Sequence, residues 1–335
     1  MGMIIQELAA TVTPASAAQS GAARARLTRH LAPGESLGAV GELAARLAGA
    51  RHAPQPRVER VVLLIAAGDH GIAASGIDLG DNEPTLVAAR QICAGAAAVN
   101  ALARQVGARL IVVDCGMRGV AGRTVPGLLS FRQGDGTADS SRGPAMTPVD
   151  AVRAIETGVA VVISLADDGL DVLALGHLAA GSQPASAALI AALTGASPAQ
   201  VGGGVDAMLV ADILAIARPA GRPVEALAAV GGYELAFLAG AVLAAASINV
   251  PVVLDDHGTA AAALAATRLA PAVTGYLIAA HGGSTPAHRV ALAALGLAPL
   301  FDLGLSAGEG AGAALLLPFV SAAAGLLTAA GTSSS

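Results

Sequence analysis

Five times along this 335-residue chain, a short apolar run stops at a turn of glycine, aspartate or histidine. Val61 to Ala67 ends in Gly68-Asp69-His70-Gly71, Leu110 to Val113 in Asp114, and Val172 to Leu175 in Gly176. Val252 to Leu254 ends in Asp255-Asp256-His257-Gly258, and Gly275 to Ala280 in His281-Gly282-Gly283-Ser284. Runs that are apolar without alternation belong to strands covered on both faces, which is the habit of parallel sheets. Ala/Leu-rich stretches at 85–106, 146–163, 185–195, 205–217, 233–247, 258–268 and 286–295 lie among them and read as helices. Strand–helix alternation specifies an α/β fold: a Rossmann-like parallel sheet flanked by helices. Such sheets bind ligands beyond the carboxyl ends of their strands, where this chain places most of its histidines and several isolated acids. Residues 1–56 read as helical and close at a segment with two prolines. Residues 116–143 read as one long loop of Gly, Ser, Asp and Arg, a length more often functional or mobile than structural. No internal repeat or interdomain linker is visible.

Composition narrows the function. The chain contains no lysine, so all 19 fixed basic charges are arginines. Net charge is −5 and no basic tract occurs, which argues against nucleic acid as partner. Any phosphate must be held by Arg, His or backbone N–H groups. Cys93 and Cys115 form neither C-x-x-C nor a zinc spacing and read as buried, reduced thiols in a cytoplasmic protein. Met1 to Gln19 lacks a basic start and a long apolar core, so no secretory signal is expected there. Residues 311–331 and 235–254 are uncharged or nearly so and long enough to raise a membrane question. Their Ala-rich composition and missing aromatic belt favour buried helices and strands instead.

Several chemistries fail on spacing. G-x-S-x-G is centred on Ser36 and Ser306, but Ser36 does not follow a strand and no histidine follows Ser306. No G-x-G-x-x-G follows the first strand, and a Walker A loop needs a lysine. Asp69-His70, Asp256-His257 and His281 hint at a metal, yet none has ligand spacing such as H-x-x-x-H. They read as ordinary polar loop residues, and no metal is expected. Gly181-Ser182 and Gly202-Gly203-Gly204 each precede a helix and suit either a phosphate monoester or simple capping. Gly308-Glu309-Gly310 sets one carboxylate between glycines ahead of an apolar run. Such a glutamate serves as a base, or as a hydrogen-bond acceptor for a substrate N–H, or merely caps a helix.

Taken in order, several segments resemble a known family: VLLIAAGDHGIAASG (62–76), GAAAVNALAR (95–104), GPAMT (143–147), Gly231 to Ala236 with Ala239-Gly240, Pro251 to Leu254, His281 to His288, and DLGLSAGEGAGAAL (302–315). Over roughly 20–330 the chain is similar to nicotinate-nucleotide–dimethylbenzimidazole phosphoribosyltransferases of cobalamin lower-ligand synthesis. The resemblance implies a small helical domain built from both chain ends: 1–56 as its N-terminal part, 57–305 as the Rossmann-like domain, and 306–335 as active-site loop and C-terminal helical part. It implies a homodimer acting on small molecules, a nucleotide donor and an azole acceptor, with no cofactor. Glu309 matches the family's catalytic glutamate. Asp69, His70, Asp78, Asn82 and Leu178 fall at acceptor positions. Donor and phosphate positions fall at His177, Gly181, Ser182, Gly202, Gly203, Gly204, His281, Gly283, Ser284, Gly308 and Gly310.

The departures concentrate in the implied pockets. His177 stands where the family has a second glutamate, and Asp212 falls near an Arg-Lys pair. Asp78 and Asn82 replace a serine and a glutamine. Two other readings therefore stay open beside phosphoribosyl transfer: a ribosyltransferase with an unphosphorylated donor or different acceptor, and a non-catalytic nucleotide- or base-binding paralogue.

Overall fold

The computed structural model describes the chain apart from residues 1, 34, 76–83, 204, 284, 306–307 and 333–335. Its centre is a six-stranded sheet: β1 (Val61–Gly68), β2 (Arg109–Gly116), β3 (Leu128–Ser130), β4 (Val172–Leu178), β5 (Val252–Leu254) and β6 (Leu277–Ala279). The spatial order is β3-β2-β1-β4-β5-β6 and every neighbouring pair is parallel. This is the strand order of doubly wound dinucleotide-binding folds, with the reversal between β1 and β4.

Strand alternation divides the core in two. Val62, Leu64 and Ala66 of β1 point into one apolar cluster with the helices Pro148–Asp167, Ser182–Thr194, Tyr233–Ser247 and His257–Leu269. Leu63 and Ile65 point into the other, with Leu43, Leu47, Leu86, Leu316 and Leu317. Both faces of every central strand are thus covered, which is why the runs lack polar residues. The helices Ala17–Thr28 and Gly38–Ala50 pack on the last helix, Ala311–Thr332, so the two chain ends meet over the second face.

Four local readings are corrected. Residues 128–130, inside the stretch read as loop, pair with Val112 to Asp114 as an edge strand. The 85–106 stretch breaks into Pro84–Cys93 and Ala98–Gln105, around Gly95 in the left-handed conformation. Pro223–Val230 is a helix missed between 205–217 and 233–247. Gly275 belongs to a 3-10 turn, Pro271–Tyr276, before the short β6.

Among the described residues, two stretches are long and apolar enough to cross a membrane by length and composition, 84–105 and 311–330. The first is the broken pair of helices just described. The second packs its inner face on the helices of the N-terminal region and on β4. Tyr233–Ser247, the other apolar helix, is buried from Tyr233 through Ala246.

Candidate active site

The carboxyl ends of β4, β5 and β6 converge on the loop that precedes the last helix. Gly176 of β4 lies directly beneath that loop. A Cβ there would stand 2.6 Å from the Gly310 nitrogen, so only glycine admits this approach. Asp255, fully buried at the end of β5, reaches into the same turn. Its Oδ2 accepts the Gly310 N–H at 2.8 Å and its Oδ1 the Ala313 N–H at 3.0 Å. A carboxylate distant in sequence therefore supplies the N-terminal cap of helix Ala311–Thr332, satisfying donors the helix cannot satisfy itself. The Glu309 N–H donates to the His177 carbonyl at 3.3 Å. Held on both sides, Glu309 adopts φ +66°, a left-handed conformation uncommon for a residue with a side chain. Residues kept in such conformations concentrate at functional sites. Burial raises the Glu309 carboxyl above its ordinary value, and the nearby Asp255 adds to the rise.

Glu309 opens onto a cavity of about 450 Å³. Four of the chain's seven histidines line it: His177, His257, His281 and His288. Asp256 lies among them. Its Oδ1 caps helix His257–Leu269 through the Gly258 and Thr259 N–H groups, at 3.1 and 3.2 Å. Its Oδ2 lies 2.9 Å from His177 Nδ1. Burial pushes the His177 ring toward neutrality, but the Asp256 charge outweighs burial and lifts it to about 9. Asp256, despite burial, is held well below the usual carboxylate range by His177 and His257. Burial lowers His257, and lowers His288 to about 4. His281 Nδ1 accepts the Gly283 N–H at 3.1 Å, which places the ring proton on Nε2, 3.6 Å from Asp255 Oδ1. The Nε2 atoms of all four histidines are buried without a hydrogen-bond partner among the described residues.

Leu178, Ser182, Gly283 and Gly308 also line this cavity. Gly310 sits just behind it on Gly176 and Leu63. Gly181, left-handed at φ +76°, starts helix Ser182–Thr194 against Ile72 and Ala73. Gly202 packs on Ala207 and Gly203 lies beside Pro286; neither lines the cavity. Asp69 and His70 are also elsewhere. Asp69 accepts the Thr85 hydroxyl at 2.5 Å, the Ala180 N–H at 3.3 Å and the Arg118 N–H at 2.7 Å. It thereby ties the end of β1 to three neighbouring segments. The His70 ring turns inward, with Nε2 2.7 Å from Glu234 Oε1. Asp212 is exposed on helix Val205–Ala217 and does not line the cavity. Asp78, Asn82, Gly204 and Ser284 lie outside the described residues.

Sequence reasoning named Glu309 but missed Asp255 as the clamp on its loop, and read Asp256 and His257 as plain loop residues. The available signal was their place at a strand's carboxyl end, in a run of two acids and a histidine. His288 fell in a quoted segment without a role.

Comparison with known proteins bears on the whole chain. A family model described as phosphoribosyltransferase matches residues 12–335. A nicotinate-nucleotide–dimethylbenzimidazole phosphoribosyltransferase of Roseiflexus sp. (strain RS-1) is 39% identical, covering 97% of this chain and 95% of that protein. One of the same name from Desulforudis audaxviator is 37% identical over 94% of this chain and 92% of its own length. The crystal structure of the Thermus thermophilus enzyme of that name superposes with a TM-score of 0.87 at 37% identity, covering 93% of this chain and 96% of that one. With the sheet, the end helices and the Gly-Glu-Gly loop in place, this chain belongs to the nicotinate-nucleotide–dimethylbenzimidazole phosphoribosyltransferase family.

Proposed function

We propose that this protein moves phosphoribose from nicotinate mononucleotide to a ring nitrogen of a benzimidazole-like azole, with Glu309 as general base. One observation carries the reading: a half-buried carboxylate, raised above its ordinary value, is fixed by a clamped left-handed turn at the mouth of the cavity. The chemistry needs one base. The C1′–N bond to nicotinate breaks with its electron pair going to the pyridine nitrogen, which leaves neutral and needs no acid. The acceptor nitrogen forms the new bond to C1′, and its N–H proton passes to Glu309. A buried carboxylate with a raised pKa is a stronger base than one in water.

The donor belongs in the cavity of His177, Ser182, His281, Gly283 and Gly308, with Gly181 and Gly310 behind. In a chain without lysine, backbone N–H groups are the groups of this cavity that suit the donor's phosphate. The acceptor belongs between Leu178 and the end of β1, with Asp69 and His70 supporting the wall; Asp78 and Asn82, at acceptor positions by the resemblance, lie outside the described residues. Asp212 is exposed and does not line the cavity, so of the two motives for an unphosphorylated donor only the missing lysine stands. The protein acts as a cytoplasmic homodimer on these small molecules.

Incubation of the purified chain with nicotinate mononucleotide and dimethylbenzimidazole, read by mass spectrometry, tests this. Free nicotinate and a ribosyl-benzimidazole phosphate are expected together. Glu309→Gln lowers turnover about 10²- to 10⁴-fold while thermal stability is kept. Unchanged turnover in that variant rules out the base.

A further inference from the structure

The structure assigns a divalent transition-metal site to His177, Asp256 and His257 at the edge of the cavity. One donor atom from each of these residues lies within 4.8 Å of the other two. Asp256 Oδ2 is 2.9 Å from His177 Nδ1 and 3.9 Å from His257 Nδ1. Bonds of about 2.0–2.2 Å to a common ion set donors roughly 3.3 Å apart, a spacing that falls between these two separations. The two rings stand edge to face with centroids 5.5 Å apart.

The carboxylate is already oriented for this. The helix N-cap bonds fix Oδ1, leaving Oδ2 turned toward both imidazoles. His177 and Asp256 sit on the ends of two adjacent parallel strands, among the most rigid positions in the fold. A second observation is independent of this geometry. His177 is 5% exposed, yet among the described residues its Nε2 has no hydrogen-bond partner, and the same holds for Nε2 of His257 and His288 around the cavity. Buried polar atoms rarely go unpartnered, and so many in one cavity mark a place built for a charged or polar ligand. Two imidazoles and one carboxylate select zinc, cobalt, nickel or iron over magnesium or calcium. Three protein ligands leave the fourth position open to the cavity, as in sites that bind an exchangeable ligand on the metal.

Sequence spacing hid this site. His177 is 79 residues from Asp256 and no ligand motif joins them. Only the pairing of β4 with β5 brings them together.

The test uses the full chain, tag removed and stripped with chelator, titrated with Zn²⁺ alone and Co²⁺ alone. One ion per chain is expected, and X-ray absorption of the zinc form shows two imidazoles with oxygen ligands. His257→Ala and His177→Ala each weaken zinc binding about 100-fold or more. Circular dichroism checks their folding; should they fail to fold, the wild-type absorption spectrum alone decides the ligand set. Absence of stoichiometric binding overturns the site, as does affinity unchanged in both folded variants, or a ligand shell without imidazole. Binding of inorganic phosphate to the stripped chain without any binding of zinc also overturns it, because the imidazoles then serve an anion. None of these readouts uses substrate, so the outcome is separate from that of the transfer assay.

Discussion

Glu234 has no solvent exposure, and two imidazoles make a charge there tolerable. Burial by itself would raise its carboxyl. The His70 ring, 2.7 Å from Oε1, together with the more distant His177, more than offsets this and holds the group below its ordinary value. Gly68 and Gly232 close over the pair, with no room for a Cβ at either position. Removing one member of such a pair strands the other, so Glu234→Gln should cost about 3 kcal/mol in urea unfolding at pH 7. The direction of its pH dependence follows from the lowered value. The unfolded chain binds the proton more readily, so the stabilisation is present above about pH 4.5 and is lost as pH falls toward the folded value. The gap between wild type and Glu234→Gln should therefore narrow as unfolding is repeated at progressively lower pH. A constant gap would mean that the carboxylate's charge is not what stabilises the site.

At the scale of elements, glycines set how closely backbones approach. Helices Pro148–Asp167 and Tyr233–Ser247 cross at Gly158 and Gly240. A Cβ on Gly158 would overlap the Phe237 carbonyl, and one on Gly240 the Ile155 carbonyl. Alanine is the better helix former by about 1 kcal/mol, yet overpacking outweighs that preference. Gly158→Ala is expected to destabilise by about 2 kcal/mol, measured by urea unfolding. Gly176→Ala tests a different element contact, the strand end beneath the Glu309 turn. Its methyl group displaces the turn by its clash with Gly310, so turnover should fall at least about tenfold, with a smaller fractional effect on the thermal midpoint. Equal activity would show that the turn has slack there.

For the whole molecule, the question is whether the end helices form a unit of their own. Leu43 and Leu47 from the N-terminal region share one apolar cluster with Leu63 and Ile65 of β1 and with Leu316 and Leu317 of the last helix. No polar layer separates them from the sheet among the described residues. Calorimetry should therefore show one unfolding transition with equal van't Hoff and calorimetric enthalpies. Two resolved transitions would mean that the chain ends melt separately.

The sequence by itself determined the class of fold, because short unbroken apolar runs ending at glycine or aspartate alternate with longer Ala/Leu stretches, the pattern of strands covered on both faces by helices. It also singled out Glu309, because a lone acid between glycines lies in the last of the ordered segments that carry the family resemblance. What it could not supply was proximity between distant segments. Asp255 clamps the Glu309 turn, and Asp256 meets His177, only because β4 and β5 are neighbours in the sheet. Asp69 and His70, prominent in sequence, turned out to fasten β1 to its surroundings, since their partners Thr85, Arg118 and Glu234 come from elsewhere in the chain. Local spacing encodes which elements form. Which side chains face one another across strand ends is settled by strand order and packing, and that is where this site is made.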